Sequence, residues 1–361
     1  MNILLFTLEY PPFAGGVANY YGNLVKYWPA PGHIFVLNNN DGKLIKNNWP
    51  ILKWLPSAWA LFKTVKQKKI DHLVVGQVLP LGIAALFCRY ILKVNYTVFL
   101  HGMDFNYASK TWRKRKILAV ILKRAKTTIC VNSYTASLVK SFFKSETAIS
   151  LAIINPGAEA PARDQVLINQ LTEKYGLNNK IILLSVGRLV RRKGFDLIIG
   201  VLPEILKKIP SLIYFILGQG REHKNLENRI NNLGLKNRAF IISQAADEER
   251  DAWYNLCDIF LMPARNIDGD FEGFGIVYLE ANLAAKPVIA ARSGGVDDAV
   301  INGLNGLLIN SENPPELIEA ILKLALDQDL KNKLGRQGLE RATNKFNWPK
   351  QVKKIYNFIN N

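Results

Sequence analysis

The sequence predicts an α/β protein of two Rossmann-like, doubly wound domains, each a parallel sheet covered by helices on both faces. Three observations predict it. Short, mostly apolar runs alternate with helical stretches through both halves, which is the signature of strands buried on both faces of a parallel sheet. The alternation stops at Asn155-Pro156-Gly157, crosses a polar, proline-bearing connection over 158–179, and restarts. The length of 361 residues suits two domains.

In chain order, Ile3–Leu8 reads as a buried strand running into the turn-rich Tyr10-Pro11-Pro12-Phe13-Ala14-Gly15-Gly16, with a helix from about Val17 to Tyr27. Further strands are expected at Ile34–Leu37, His72–Val75, Asn95–Leu100 and Thr127–Val131. Asn132 or Ser133 then caps a helix reaching about Phe143. Leu73 to Cys88 is the most apolar stretch, but Gly76, Pro80 and Gly82 break it into a strand, a turn and a helix start. It falls short of the ~20 residues of a membrane-spanning helix. In the second half, strands are expected at Ile181–Val186, Leu212–Leu217, Ala239–Ile242, Ile259–Met262 and Val288–Ala290, with a helix over Phe195–Lys208. This sets domains at 1–158 and 176–345, and the closing segment 346–361 as a further helix.

The start, MNILLF, lacks the basic region and cleavage site of a secretory signal. Cys88, Cys130 and Cys257 are far apart and in no metal-ligand spacing, so they read as buried thiols of a reducing compartment, the cytoplasm. The net charge is +18, and residues 1–158 hold 20 Lys+Arg against 5 Asp+Glu. A basic excess confined to one half implies a surface for something anionic, nucleic acid or lipid headgroups.

In doubly wound sheets ligands gather outside the carboxyl ends of the strands. Four segments lie there. Gly15-Gly16 follows the first strand and would let backbone approach an anion, although a tight turn alone would also use it. Arg188 through Gly194 follows the strand Ile181–Val186, so Arg188 and Lys193 can converge on a diphosphate. Glu272-Gly273-Phe274-Gly275-Ile276 opens a helix whose first amides can cradle an anion, with Glu280 two turns beyond Glu272. Ser293-Gly294-Gly295 offers a further nest of N–H groups. In the first half, His101 ends the strand Asn95–Leu100 and can donate to a sugar hydroxyl or a phosphate. Asp268-Gly269-Asp270 spells a possible metal motif, but no third acidic ligand accompanies it, and it reads as a solvated loop.

Together these elements resemble the retaining glycosyltransferases of family 4, with Tyr10-Pro11-Pro12, Gly15-Gly16, His101-Gly102, Gly187-Arg188, Lys193 and Glu272-x7-Glu280 in order along nearly the whole chain. Pro263 to Ala281 is especially similar to bacterial phosphatidylinositol mannoside mannosyltransferases and related α-mannosyltransferases. The resemblance implies the GT-B fold, its two domains facing a central cleft, with the last helix returning to the first domain. It implies a nucleoside-diphosphate sugar donor, GDP-mannose first and a UDP-sugar second, and no metal or other cofactor. It assigns Arg188 and Lys193 to the diphosphate, Glu280 to the ribose and Glu272 to the transferred sugar, with His101 facing that sugar. Many members carry Glu where this chain has Asp298. No first-half carboxylate suits a covalent nucleophile; only Glu9 and Asp104 lie near strand ends. The family's front-face route is therefore expected, with the diphosphate leaving on electrostatic support.

Residues 110–126 combine eight Lys/Arg, among them Arg113, Lys114, Arg115 and Lys116, with an apolar stripe of Ile117, Leu118, Ile121 and Leu122. Trp49 to Lys69 adds Trp54, Trp59 and Phe62. This composition suits an interfacial surface on the cytoplasmic face of an anionic membrane, and so a lipid-linked or glycan acceptor. A GT-B epimerase or phosphorylase would need cleft acids and bases or a cofactor lysine that are not evident. A nucleic-acid-binding protein would show a recognition motif, which is also not evident.

Overall fold

The computed structural model describes residues 1–13, 15–45, 54–144 and 149–360; Trp49 lies outside them. The chain divides into two compact units, Met1–Gly157 with Trp348–Asn361, and Ala158–Asn347.

The first unit runs β1 (Ile3–Phe6), α1 (Gly16–Lys26), β2 (Ile34–Leu37), α2 (Leu55–Lys68), β3 (His72–Val75), α3 (Leu81–Leu92), β4 (Asn95–Leu100), α4 (Met103–Ser109), α5 (Trp112–Arg124), β5 (Thr127–Cys130), α6 (Ser133–Phe143) and β6 (Leu151–Ile153). Its six strands are all parallel, in the order β2-β1-β3-β4-β5-β6. β1, β3 and β5 are buried throughout. Asn132 caps α6 by accepting the Thr135 amide at 2.6 Å, which satisfies one of the helix's orphan donors.

The second unit runs α7 (Gln165–Tyr175), β7 (Ile181–Val186), α8 (Phe195–Lys208), β8 (Leu212–Leu217), α9 (His223–Asn232), β9 (Ala239–Ile242), α10 (Asp247–Leu256), β10 (Ile259–Met262), α11 (Ile276–Leu283), β11 (Val288–Ala291), α12 (Val296–Ala299), β12 (Gly306–Ile309), α13 (Pro314–Leu326) and α14 (Gln328–Lys345). Its parallel sheet has the order β12-β11-β10-β7-β8-β9. The strand order reverses between β7 and β10, the switch point where such sheets bind ligands.

Several features differ from expectation; β1 ends at Phe6 and β5 at Cys130, short of Leu8 and Val131. The segment after Ala158 is more than a connection: α7 buries Ile168 and Leu171 in the second unit's core. Two edge strands, β6 and β12, were not expected. The last helix, α15 (Trp348–Asn360), starts at Trp348; it buries Trp348, Val352, Ile355 and Ile359 in the first unit, while Phe346 stays in the second, against Phe274 at 5.7 Å. Cys88, Cys130 and Cys257 are free, buried thiols.

Candidate active site

The switch point of the second unit carries a buried ionic cluster. After β7 the chain makes a one-turn 3-10 segment, Arg191–Lys193, which ends at Gly194 with φ +78°. A Cβ there would lie 2.2 Å from the Pro263 carbonyl oxygen, so only glycine lets this turn lie against the segment after β10. Two further links hold that contact: the Arg265 amide donates to the Arg192 carbonyl at 2.6 Å, and its guanidinium pairs with Asp196 at 2.7 Å.

Lys193 donates to Glu272 Oε2 at 2.6 Å, and Arg192 Nη1 donates to the same oxygen at 2.7 Å. Arg192 Nε reaches Asp270 Oδ1 at 2.9 Å. The side chains of Lys193, Glu272 and Arg192 are 10%, 9% and 11% exposed. Burial pulls the Lys193 ammonium below its usual range, even with Glu272 beside it. For Glu272 burial pushes the other way, but Lys193 and Arg192 together outweigh it and hold the carboxyl below its usual range. The close Lys193–Glu272 and Arg192–Glu272 pairs are what offset the cost of burying these groups.

Arg188 follows Gly187 and is exposed; its guanidinium makes no hydrogen bond or ion pair among the described residues, and its charge is felt at Lys193. Gly187 lies beside Lys193, whose Nζ is 3.8 Å from a Cβ built there. Glu272 leads through Gly273, Phe274 and Gly275 into α11, whose N-cap Gly275 has φ +83°. The Ile276 and Val277 amides at this helix start have no partner among the described residues. The cation pair, a free arginine and a helix N-terminus thus occur in one segment pair, β7 with its turn and the approach to α11. This suits a polyanion such as a diphosphate.

Glu280 sits one turn into α11 and accepts the Tyr254 hydroxyl from α10 at 2.6 Å. Burial raises its carboxyl pKa against the counter-effects of Tyr254 and Arg250. Its other oxygen has no partner among the described residues and can accept hydroxyl hydrogens.

In the first unit, Gly15 is the N-cap of α1 and Gly16 its first residue. The built Cβ of Gly15 stands 3.5 Å from a Glu9 carboxylate oxygen, so this helix start has an acidic neighbour. His101 ends β4, with Nε2 2.8 Å from the Tyr21 hydroxyl. Asp104 accepts the His101 and Gly102 amides on Oδ1, each at 3.0 Å. Its Oδ1 is thereby turned back on its own turn, while the buried Oδ2 has no partner among the described residues.

Several expectations need correction. The Gly294-Gly295 nest is partly spent, because the Gly295 amide donates to the Glu272 carbonyl at 2.9 Å. That turn supports the 271–272 backbone instead of offering a bare amide. Asp270 is a half-exposed loop carboxylate, as expected, but it also serves as a counterion of Arg192. Leu118, Ile121 and Leu122 are fully buried in the first unit's core, so the stripe they form with Ile117 faces inward and only Ile117 is exposed. Trp54 is half-buried against Phe87 at 6.2 Å, whereas Trp59 is 73% exposed. Arg115 lies over the Phe142 ring at 4.7 Å; Arg113 and Lys116 flank the exposed Trp112, and Lys114 sits 3.4 Å from the Tyr107 ring centroid. Sequence reasoning did not single out Arg192, Tyr254 or Tyr21.

Two family models match this chain: "Glycosyltransferase Family 4" over residues 14–158 and "Glycosyl transferases group 1" over 168–341. The chain belongs to glycosyltransferase family 4. The transferase is 25% identical to a GDP-mannose-dependent alpha-(1-6)-phosphatidylinositol monomannoside mannosyltransferase of Mycobacterium tuberculosis, over 99% of this chain and 98% of that one. It is 27% identical to an uncharacterized glycosyltransferase of Methanocaldococcus jannaschii, over 99% and 98% of the two chains. Its fold matches that of Anabaena HepE, solved in complex with UDP, with a TM-score of 0.82 at 19% identity and full coverage of both chains. The fold is therefore GT-B, and the transferase is an enzyme that uses a nucleotide-sugar donor.

Proposed function

We propose that this glycosyltransferase moves a hexose, mannose from GDP-mannose, onto a lipid-linked acceptor at the cytoplasmic face of an anionic membrane, with retention and without a metal. The observation that carries the donor site is the buried Lys193–Glu272–Arg192 cluster beside the free Arg188 and the open start of α11. Lys193, Arg188 and the Ile276 and Val277 amides neutralise the diphosphate as it leaves, which is where preorganised charge contributes most. Glu280 takes the ribose hydroxyls, and Glu272, anchored by two cations, orients the transferred sugar. Asp270 already serves Arg192, and cations of the chain itself serve the diphosphate. The donor's identity draws support from the mannosyltransferase similar over nearly its whole length.

The membrane reading rests on the first unit. α2, α3 and α5 pack side by side on one face of its sheet. Together they expose Trp59, Phe87, Tyr90, Ile91, Trp112 and Val120 among lysines and arginines. Apolar rings set among basic side chains fit a lipid–water interface bearing negative charge. No helix among the described residues is long and apolar enough to cross a membrane.

The deciding experiment presents a panel of sugar nucleotides and measures nucleoside-diphosphate release with and without EDTA. Release from GDP-mannose that survives EDTA is expected. Preference for a UDP-sugar would replace the donor assignment, and strict dependence on Mg or Mn would overturn the metal-free reading.

A further inference from the structure

The hydrogen bonds around His101 determine which of its ring nitrogens carries the proton. The Tyr21 hydroxyl lies 2.7 Å from the Gly76 carbonyl oxygen and 2.8 Å from His101 Nε2. A carbonyl oxygen can only accept, and a hydroxyl has one proton to give. Tyr21 therefore spends its proton on Gly76, and the 2.8 Å contact is a bond only if Nε2 carries a hydrogen and donates it. The rings of Tyr20 and Tyr21 meet the imidazole edge-on, with centroids 5.1 and 5.3 Å away. They oppose the ring flip that would exchange the two edges. Burial pushes the ring's pKa down to about 4; Asp104 spends its Oδ1 on the His101 and Gly102 amides, and its Oδ2 makes no hydrogen bond to the ring. The ring is thus neutral at pH 7, and Nδ1, which has no partner among the described residues, holds a lone pair.

We propose that Tyr21 is a positioning residue that holds His101 in the Nε2–H form, so that Nδ1 accepts a hydrogen bond from a hydroxyl of the transferred sugar. A lone pair repels phosphate oxygens, so His101 does not contact the diphosphate. This revises the expectation that His101 donates. It rests on the reading that the site binds a sugar nucleotide.

The test uses the full-length chain labelled with 15N. The sequence has four histidines, and loss of one set of imidazole resonances in His101→Asn assigns the signal. At pH 7, Nδ1 is expected to be unprotonated and Nε2 protonated, before and after addition of inorganic pyrophosphate. Protonated Nδ1, in the other tautomer or an imidazolium, would overturn the proposal, as would its protonation when pyrophosphate is added. In turnover assays Tyr21→Phe, which is isosteric, should lower kcat/KM about tenfold, and His101→Asn, which can return an acceptor oxygen, should exceed His101→Ala. Wild-type kcat/KM in Tyr21→Phe would remove the positioning role. If that variant does not fold, the wild-type spectrum still decides. Wild-type turnover in Lys193→Ala would instead remove the donor-site reading and leave the spectrum as it is, which separates the two failures.

Discussion

Replacing Glu272 with glutamine tests the ionic cluster most sharply, because it changes one charge and almost no volume. In the native protein, Arg192 and Lys193 are balanced by Glu272 and Asp270, and the three innermost side chains are about nine-tenths buried. Glu272→Gln leaves two cations facing one half-exposed carboxylate, a local excess of one positive charge. Removing one partner of a buried pair costs about 3–5 kcal/mol, since the remaining charge is left without its counterion. For a unit the size of Ala158–Asn347, each kcal/mol moves the melting temperature by about 2–4 °C, so the fall should be on the order of 10 °C. Scanning calorimetry measures it. The same excess charge should make inorganic pyrophosphate raise the melting temperature more in Glu272→Gln than in the wild type, because binding restores the missing negative charge. A variant that melts within a degree or two of wild type and gains no more from pyrophosphate would refute the argument that Glu272 is the buried counterion.

Other perturbations follow from the same geometry. Lys193→Ala should lower turnover by about 100- to 1,000-fold, with circular dichroism unchanged; a wild-type rate would remove its role at the diphosphate. Glu280→Gln keeps an acceptor for Tyr254, so the protein should stay folded while donor KM rises about tenfold; an unchanged KM would dissociate Glu280 from the donor. Stability should rise between about pH 4 and pH 6.5. His72 and His101 are both held down to about 4 by burial, so the unfolded chain takes up their protons first as pH falls and their contribution is lost toward pH 4. Asp104, raised to about 6 by burial, and Glu280, also raised, act in the opposite direction, whereas Glu272, held low by Lys193 and Arg192, acts with the two histidines, so the net slope is upward. A flat or falling thermal stability over that range would contradict the burial of these rings. Neutralising Arg113, Lys114 and Lys116 should weaken binding to phosphatidylserine vesicles by about 1 kcal/mol per residue, and Trp112→Ser should weaken it further; unchanged partition in co-sedimentation would refute the docking surface.

Much of this architecture was legible in the chain because interior strands of parallel sheets are short apolar runs between breakers. Asn95–Leu100, Leu212–Leu217 and Ile259–Met262 are such runs, and each forms a strand with those bounds. The edges were not legible. Leu151–Ile153 has three residues, with Ile153 47% exposed, and Gly306–Ile309 opens on a glycine, so neither has the continuous apolar character of a central strand. In the site, Lys193 and Glu272 could be named because each stands beside a glycine-rich turn after a strand. Arg192 looked like one more member of a basic run; a 3-10 turn aims it and its neighbour Lys193 at the same oxygen, which spacing alone does not reveal. Tyr21 and Tyr254 reach partners 80 and 26 residues away, and only the folded sheet brings them together. The apolar stripe of 117–122 misled for a related reason. A core-facing and a membrane-facing helix share one periodicity, and only the position of the sheet tells which face is covered.

In the proposed donor site, Lys193, Arg188 and the start of α11 hold the diphosphate without a metal. Calorimetric titration of the nucleoside diphosphate in EDTA, against wild type, Lys193→Ala and Arg188→Ala, tests it most directly. Binding to the wild type is expected, with a Kd weakened by about tenfold or more in each variant. Equal affinity in all three proteins, or no binding to the wild type until Mg is restored, would contradict it.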